Sequence, residues 1–510
     1  VDGSGEADRA SLLGWVGRLG APVLAVGVYV LLPAAGAGMS PAARSTAAVA
    51  ALMAALWLTE ALPLPVTALL PIVLFPLFGV LEIGEAAAPY AHPYIFLFLG
   101  GFLIALAIER WNLHRRIALL TVLAVGTRPA RLVGGFMLAT ALLSMWISNT
   151  ATTVMMLPIG LSVVGLVSER LGEATDGRAG GSPTRGGANF PICLMLGIAY
   201  GASIGGLGTL IGSPPNLILA GFVKESYGVE ISFAAWMRVG LPVAAVMLVL
   251  AWWCLVNVVY PIRLGAIPGG RKLIRDELAG LGPMTRGEWS VLAVFLPTAA
   301  AWIAREPLSR WTWLVERVPA VERLHDATIA LAAAVLLFAI PVNARCGQFV
   351  LDWKTAAKVP WGVLLLFGGG LSLAAGFQQS GLSQWIGRQV AVFDQLPVMP
   401  LVLLTTGTVL LLTELTSNTA TASVFLPILG GAAVGLGLDP MVLLLPAGMA
   451  ASCAFMLPVA TPPNAIVFGS GHVRIGQMVK AGVWLNLIGL GVVTALTFLL
   501  RPWMAAVGSG

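Results

Sequence analysis

Apolar residues fall in runs of roughly helix-spanning length separated by short polar stretches, from Ala21 to Leu500. A helix needs ~20 residues to cross a bilayer. Runs of that order are placed at about 21–36, 43–60, 62–82, 94–110, 192–211, 236–259, 288–304, 327–342, 361–378, 441–458 and 480–500, the shorter ones leaning on their flanks. Two further stretches, about 131–168 and 398–437, are too long for one span and are broken in the middle by a polar cluster. Each predicts a helix-turn-helix that dips into the membrane and returns.

Composition supports the pattern. The 510 residues are 58% hydrophobic and only 10% charged, whereas about a quarter of a soluble chain is charged. No stretch could supply a soluble domain, so the chain is one polytopic membrane unit. Its 60 glycines and 33 prolines lie inside the apolar runs as well as between them. Membrane helices tolerate such breaks where the freed backbone is buried in protein or lines a cavity, which favours a transporter or channel over a passive anchor.

The net charge of +6 could suggest nucleic acid, but the basic residues sit in short connections between apolar runs. Arg110, Arg115, Arg116, Arg128 and Arg131 flank one connection; Arg263, Arg271, Lys272, Arg275 and Arg286 fill another; Arg345, Lys354 and Lys358 a third. The positive-inside rule makes these cytoplasmic. The 305–325 loop runs against it, since Arg305, Arg310, Arg317 and Arg323 would then lie outside, offset by Glu306, Glu316 and Glu322. Cys193, Cys254, Cys346 and Cys453 lack metal-type spacing and read as small core residues. Four histidines are too scattered for a metal or proton-relay cluster. The Gly-rich stretch 172–187 reads as a flexible loop. No removable signal peptide is visible, and Val1 to Gly5 and Gly508 to Gly510 look like appended residues.

A repeat carries the chemistry. Ser148-Asn149-Thr150-Ala151-Thr152 recurs as Ser417-Asn418-Thr419-Ala420-Thr421, and Leu157-Pro158-Ile159 as Leu426-Pro427-Ile428, all displaced by 269 positions. Each copy is followed by a second break, Gly212-Ser213-Pro214-Pro215-Asn216 and Ala460-Thr461-Pro462-Pro463-Asn464. A single Ser-Asn-Thr triplet is commonplace and a lone Pro-Pro is usually a kink; both motifs in both halves are a different matter. Consecutive prolines remove backbone donors and unwind a helix. The unwound turn offers carbonyls to a hard cation and a fresh helix N-terminus to an anion. Asparagine can give its amide oxygen to Na+ while its NH2 donates to a carboxylate. Broken helices at corresponding positions in two halves are the sequence pointer to a transporter's midplane site.

These residues resemble the divalent anion/Na+ symporter family, carriers of dicarboxylates, citrate or sulfate. The resemblance extends to Trp57-Leu-Thr-Glu60-Ala-Leu-Pro-Leu-Pro-Val-Thr67, Gly100-Gly101-Phe102 leading to Trp111-Asn112-Leu113-His114, Gly205-Gly206-Leu207-Gly208-Thr209, and Trp361-Gly362 through Phe367 to Gly370. It implies an all-α polytopic fold of about eleven spanning helices plus two re-entrant hairpins, arranged as an inverted repeat in a homodimer working as an elevator. On that plan 1–20 is an N-terminal cytoplasmic segment, 21–128 and 288–396 are scaffold, 129–260 and 397–507 are transport regions, and 261–287 is a cytoplasmic linker. The protein would be a multi-pass component of the plasma (inner) membrane.

The resemblance also implies ligands. A first Na+ site would use Ser144, Ser148, Asn149 and the Gly212 carbonyl, and a second Thr413, Asn418 and the carbonyls of Thr416 and Ala460. Substrate would meet Ser148, Asn149, Thr150, Ser417, Asn418 and Thr419 at the hairpin tips, with Ser213, Pro214, Thr461 and Pro462 from the unwound helices. The implied activity is Na+-coupled symport of a C4 dicarboxylate such as succinate, malate or fumarate, with at least two Na+. A sulfate or citrate carrier, or a dicarboxylate exchanger, of the same family is the alternative. Neither constellation contains Arg or Lys, so an anion would borrow positive charge from helix N-termini and from bound Na+. Of the other polar residues, Glu414 reads as a structural hydrogen-bonding acid, Glu60 and Glu109 as buried or interfacial acids, His114 as an interfacial residue and Trp146 as packing. An intramembrane enzyme would need a nucleophile with a base, or metal ligands, and Ser148 and Ser417 have no His or Lys nearby in sequence. A channel would conduct without coupling, against the two-half symmetry.

Overall fold

Proline sets many of the helix starts. Pro41, Pro93, Pro129, Pro214 and Pro462 each stand in a first turn, where a missing N–H is no loss. The computed structural model describes residues 3–32, 38–126, 128–176, 185–264, 270–393 and 396–505, and they are almost entirely helical. Among them the only sheet is a two-stranded hairpin, Pro341–Asn343 with Gln348–Phe349.

Nine helices among the described residues are long and apolar enough to cross a membrane. Both long broken stretches are hairpins. The first joins Pro129–Ser144 to Asn149–Asp176, and the second Val398–Thr413 to Asn418–Gly435. Two apolar runs depart from a single span. The 62–82 run is divided into Leu64–Thr67, opened by Pro63 and Pro65, and Leu70–Leu77, with Pro71 in its first turn. The 441–458 run is helical only over Met441–Ala450; the amides of 451 to 453 close its last turn, and those of Phe455, Met456 and Leu457 are held by Glu414. The charged helix Gly270–Gly280, inside the linker, and Leu382–Val390 have no spanning signature and went unforeseen. Helix occupies both ends of the Gly-rich 172–187 stretch; residues 177–184 lie outside the described residues, as do 1–2 and 506–510, while Gly3 to Gly5 open the first helix.

The three basic connections meet at one end of the molecule. Arg110 pairs with Asp352 (2.7 Å), Arg115 with Glu277 (2.6 Å) and Arg116 with Glu288 (2.7 Å), while Trp111 Nε1 donates to Val350 O (2.8 Å). At the opposite end of helices Pro93–Arg110 and Arg286–Ser309, two of the four awkward arginines, Arg305 and Arg310, are paired, and Arg317 stacks over Trp313. Arg305 meets Asp326 (2.9 Å) and Glu230 (3.1 Å), and Glu306 holds both Arg238 (2.8 Å) and Arg310 (3.2 Å). These carboxylates are the local counter-charges that let basic residues occupy that end.

Each hairpin packs against the broken helix of its own half, Arg185–Gly205 in the first and Met441–Ala450 in the second. Close approach in the first half depends on Gly205, where a Cβ would lie 2.3 Å from Ala141 O. The return arms then cross over. Asn149–Asp176 also packs on the second half's resumed helix Pro462–Gly469, and Asn418–Gly435 on the first half's Pro214–Tyr227. The interlock brings both triplets and both Pro-Pro breaks together.

Candidate functional site

Four helices begin at the four motifs. Asn149–Asp176 and Asn418–Gly435 start at the hairpin tips, Pro214–Tyr227 and Pro462–Gly469 at the breaks. Ser148 Oγ accepts from Ala151 N (3.2 Å), and Thr461 Oγ1 from Asn464 N (3.3 Å). At the two hairpin tips the remaining first-turn N–H groups suit an anion; the two Pro-Pro helices lack N–H at their first two positions and offer the helix dipole alone. Thr150 and Pro462 are exposed, Ser148, Asn149, Pro214, Ser417 and Asn418 partly so, and Ser213, Thr419 and Thr461 buried.

Beside the first tip, oxygens outnumber hydrogens. Ser144 Oγ donates to Asn149 Oδ1 (2.5 Å), and that oxygen also faces the carbonyls of Gly212 and Ala202. Turned the other way, the amide nitrogen would lie 3.2 Å from both carbonyls and 2.5 Å from Ser144 Oγ, with two hydrogens to give to the three. The amide can therefore satisfy both carbonyls with its nitrogen inward, or offer a cation its oxygen. The second half repeats the theme: Thr413 Oγ1 lies 2.7 Å from both Asn418 Oδ1 and Ala451 O, one hydroxyl hydrogen between two acceptors. All-oxygen sets of hydroxyl, amide and carbonyl groups match a hard cation.

The structure thus gathers Ser144, Asn149 and Gly212 in one set and Thr413 and Asn418 in the other. Thr416 turns its hydroxyl to Thr421 Oγ1 (2.6 Å), and Ala460 N is bound to Leu457 O (3.2 Å). Sequence reading missed the carbonyls of Ala202 and Ala451, which no side chain announces. It also missed Ser452, whose Oγ lies 2.8 Å from Ser213 Oγ and joins the two unwound segments.

The tie between tip and break differs in the two halves. Position 414 corresponds to 145. Glu414 accepts from Phe455 N (2.7 Å), Met456 N (3.0 Å) and Leu457 N (3.2 Å), and from Asn486 Nδ2 (2.7 Å). In the first half the Met145 carbonyl accepts from Thr209 Oγ1 (2.5 Å). Glu414 is therefore occupied as a structural acceptor. Trp146 packs in an aromatic stack, with ring centroids 5.9 Å from Phe233 and 6.4 Å from Trp302. Glu60 is exposed and caps a helix in left-handed geometry (φ 48°). His114 is buried against Ile108 O (3.1 Å) rather than lying at the interface.

Two copies of a hairpin and a broken helix, interlocked within a bundle of apolar helices, define a polytopic membrane protein with a carrier's architecture. The chain belongs to the family described as the sodium:sulfate symporter transmembrane region, matched over residues 15–507, the divalent anion/Na+ symporters that its motifs resemble. It is 45% identical to the sodium-dependent dicarboxylate transporter SdcS of Staphylococcus saprophyticus over 448 residues, 88% of this chain and 84% of that protein. SdcS of Staphylococcus aureus (strain USA300) is 43% identical over 447 residues, with the same coverage. Among solved structures, the YdaH transporter of Alcanivorax borkumensis superposes with a TM-score of 0.54 at 16% identity, over 84% of this chain and 88% of that one. MtrF of Neisseria gonorrhoeae gives 0.53 at 15% identity, over 84% and 83%. At these identities the likeness is one of fold.

Proposed function

We propose that this protein is a secondary active transporter that couples Na+ to the uptake of a C4 dicarboxylate across the plasma membrane. The observation that carries the reading is the surplus of acceptors around Asn149 and Asn418, set beside four helix N-termini with no Arg or Lys among the motifs. The relatives named as sodium-dependent dicarboxylate transporters support the substrate class.

Magnitudes explain why cations are needed. A helix N-terminus is worth typically ~0.3–1 kcal/mol to an anion, so four give about 1–4 kcal/mol. Taking one carboxylate out of water costs several kcal/mol, and the substrate has two. Na+ at the oxygen sets supplies the missing charge. It also turns the Asn149 amide: oxygen toward the ion leaves the NH2 free to donate to a carboxylate, whereas without Na+ the NH2 satisfies Gly212 O and Ala202 O. Substrate accordingly binds after Na+. Two Na+ enter, one at Ser144, Ser148, Asn149 and Gly212, the other at Thr413, Thr416, Asn418 and Ala460, with the carbonyls of Ala202 and Ala451 alongside. Substrate lies between the Ser-Asn-Thr tips and Ser213, Pro214, Thr461 and Pro462. Movement is by an elevator of the hairpin regions in a homodimer, as the family resemblance implies.

Uptake of labelled succinate into proteoliposomes tests this. An inward Na+ gradient should accumulate unmodified succinate, K+ should not replace Na+, and unlabelled fumarate should compete. Asn149→Ala and Asn418→Ala should each abolish uptake; near-normal Na+-dependent uptake in both overturns the assignment. The family description names sulfate, and strong competition by sulfate would favour an inorganic-anion carrier built on the same donors.

A further inference from the structure

Asn216 and Asn464 occupy the same place in the two Pro-Pro-Asn sequences, and neither exposes any surface. Asn216 Nδ2 donates to Gly206 O and Thr209 O, 2.8 Å each. Asn464 Nδ2 donates to Ala454 O (3.2 Å) and Leu457 O (3.0 Å). All three pairs of positions, 206 and 454, 209 and 457, 216 and 464, differ by the same 248. In each half both amide hydrogens are committed to the turn that precedes the break. The opposite end of each amide is left wanting, for the Oδ1 atoms of Asn216 and Asn464 have no hydrogen-bond partner. A bare buried acceptor is destabilising, and the same compromise made twice marks a geometric requirement.

The clamped turns lie against the ion-facing oxygens. A Cβ at Gly206 would sit 2.9 Å from both Asn149 Oδ1 and Gly212 O. In the second half the clamp spans the segment whose amides Glu414 holds, just after Ala451, whose carbonyl meets Thr413. We propose that Asn216 and Asn464 are positioning residues for Na+ binding, each fixing the carbonyl turn against which the hairpin asparagine presents its oxygen. The inference rests on the Na+-coupled reading above and adds the residues that shape its ion sites.

The test compares wild type, Asn216→Ala and Asn464→Ala. Purified protein is titrated with NaCl against choline chloride at constant ionic strength, and Na+ binding is read as thermal stabilisation. Proteoliposomes give the Na+ concentration for half-maximal succinate uptake, and the succinate KM at saturating Na+. Loss of an outer partner of a metal ligand costs ~10–100-fold in ion affinity, so half-saturating Na+ should rise at least about tenfold while the KM at saturating Na+ moves less than about twofold. Gly206→Ala, which displaces the same turn with the clamp intact, should show the same signature. Folded variants with unchanged Na+ half-saturation overturn the proposal, as does loss of monodisperse protein in all three, which would assign the asparagines to folding alone. Wild-type uptake that ignores Na+ instead overturns the coupled-carrier reading.

Discussion

The carboxylate of Glu414 straddles the backbone amide of Met456, which lies 3.0 Å from each of its oxygens. With Phe455 N, Leu457 N and Asn486 Nδ2 also donating, four groups donate to this acid, and the three amides belong to the unwound segment after the second broken helix. An intramembrane acid invites a proton-carrying role; here it does what a helix would otherwise do for those amides.

Glu414→Gln places an amide NH2 among those donors. Hydrogen bonds to charged groups are worth ~1.5–3 kcal/mol each, so losing one or two should destabilise the protein by about 3 kcal/mol. The expected result is a clearly lower melting temperature in detergent at saturating Na+. If Glu414 instead carried a proton, the variant would melt like wild type and change the pH dependence of uptake.

Burial separates two ion pairs at the basic end. Arg116 and Glu288 are 11% and 4% exposed, and Glu288 also completes a capping box with Thr285; Arg115 and Glu277 are 40% and 30% exposed. Removing one partner of a buried pair costs ~3–5 kcal/mol, an exposed pair ~0–1 kcal/mol. Glu288→Ala should therefore lower the melting temperature markedly, and Glu277→Ala should leave it within error.

Much of this site was legible because the chain writes it twice. The displacement of 269 between the triplets and of 248 between the breaks located hairpins, breaks and the asparagine pair Asn149 and Asn418. Two kinds of feature were not legible. Backbone acceptors such as Ala202 O and Ala451 O depend on where a turn points, which alanine does not encode. The other kind is local context: the 62–82 run has a span's hydrophobicity, yet it divides into two helices with prolines in their first turns. His114 shows the same limit, since a histidine between Leu113 and Arg115 looks interfacial until Ile108 O closes over it.

That burial predicts a pH response. Burial holds His114 below the ordinary imidazole range; the bond to Ile108 O opposes the shift and the neighbouring Arg115 charge adds to it. The unfolded residue protonates near pH ~6.5, where the folded one still resists, so the associated stability is present above that pH and is lost as pH falls toward the folded value. Melting temperature should fall between about pH 7.5 and 5.5 more steeply in wild type than in His114→Gln. Identical slopes would show that other groups set the acid response.

The hydroxyls of Ser144 and Thr413 test whether the two oxygen sets are equivalent in use. Each hydroxyl contacts the hairpin asparagine of its own half, Ser144 at 2.5 Å and Thr413 at 2.7 Å, but Thr413 is also 2.7 Å from Ala451 O and so ties the tip to the unwound segment. On the proposed assignment Ser144→Ala removes one ion ligand, and Thr413→Val removes a ligand and leaves that tie unmade. A lost ligand worth ~1.4 kcal/mol is a tenfold change in affinity. Half-saturating Na+ for succinate uptake should therefore rise about tenfold in Ser144→Ala and further in Thr413→Val, while Thr413→Ser, which keeps the hydroxyl, stays within about threefold of wild type. On the proposed order, with Na+ binding before substrate, raising Na+ should restore the maximal rate in Ser144→Ala. Unchanged Na+ activation in Ser144→Ala and Thr413→Val would remove these oxygens from the coupling sites.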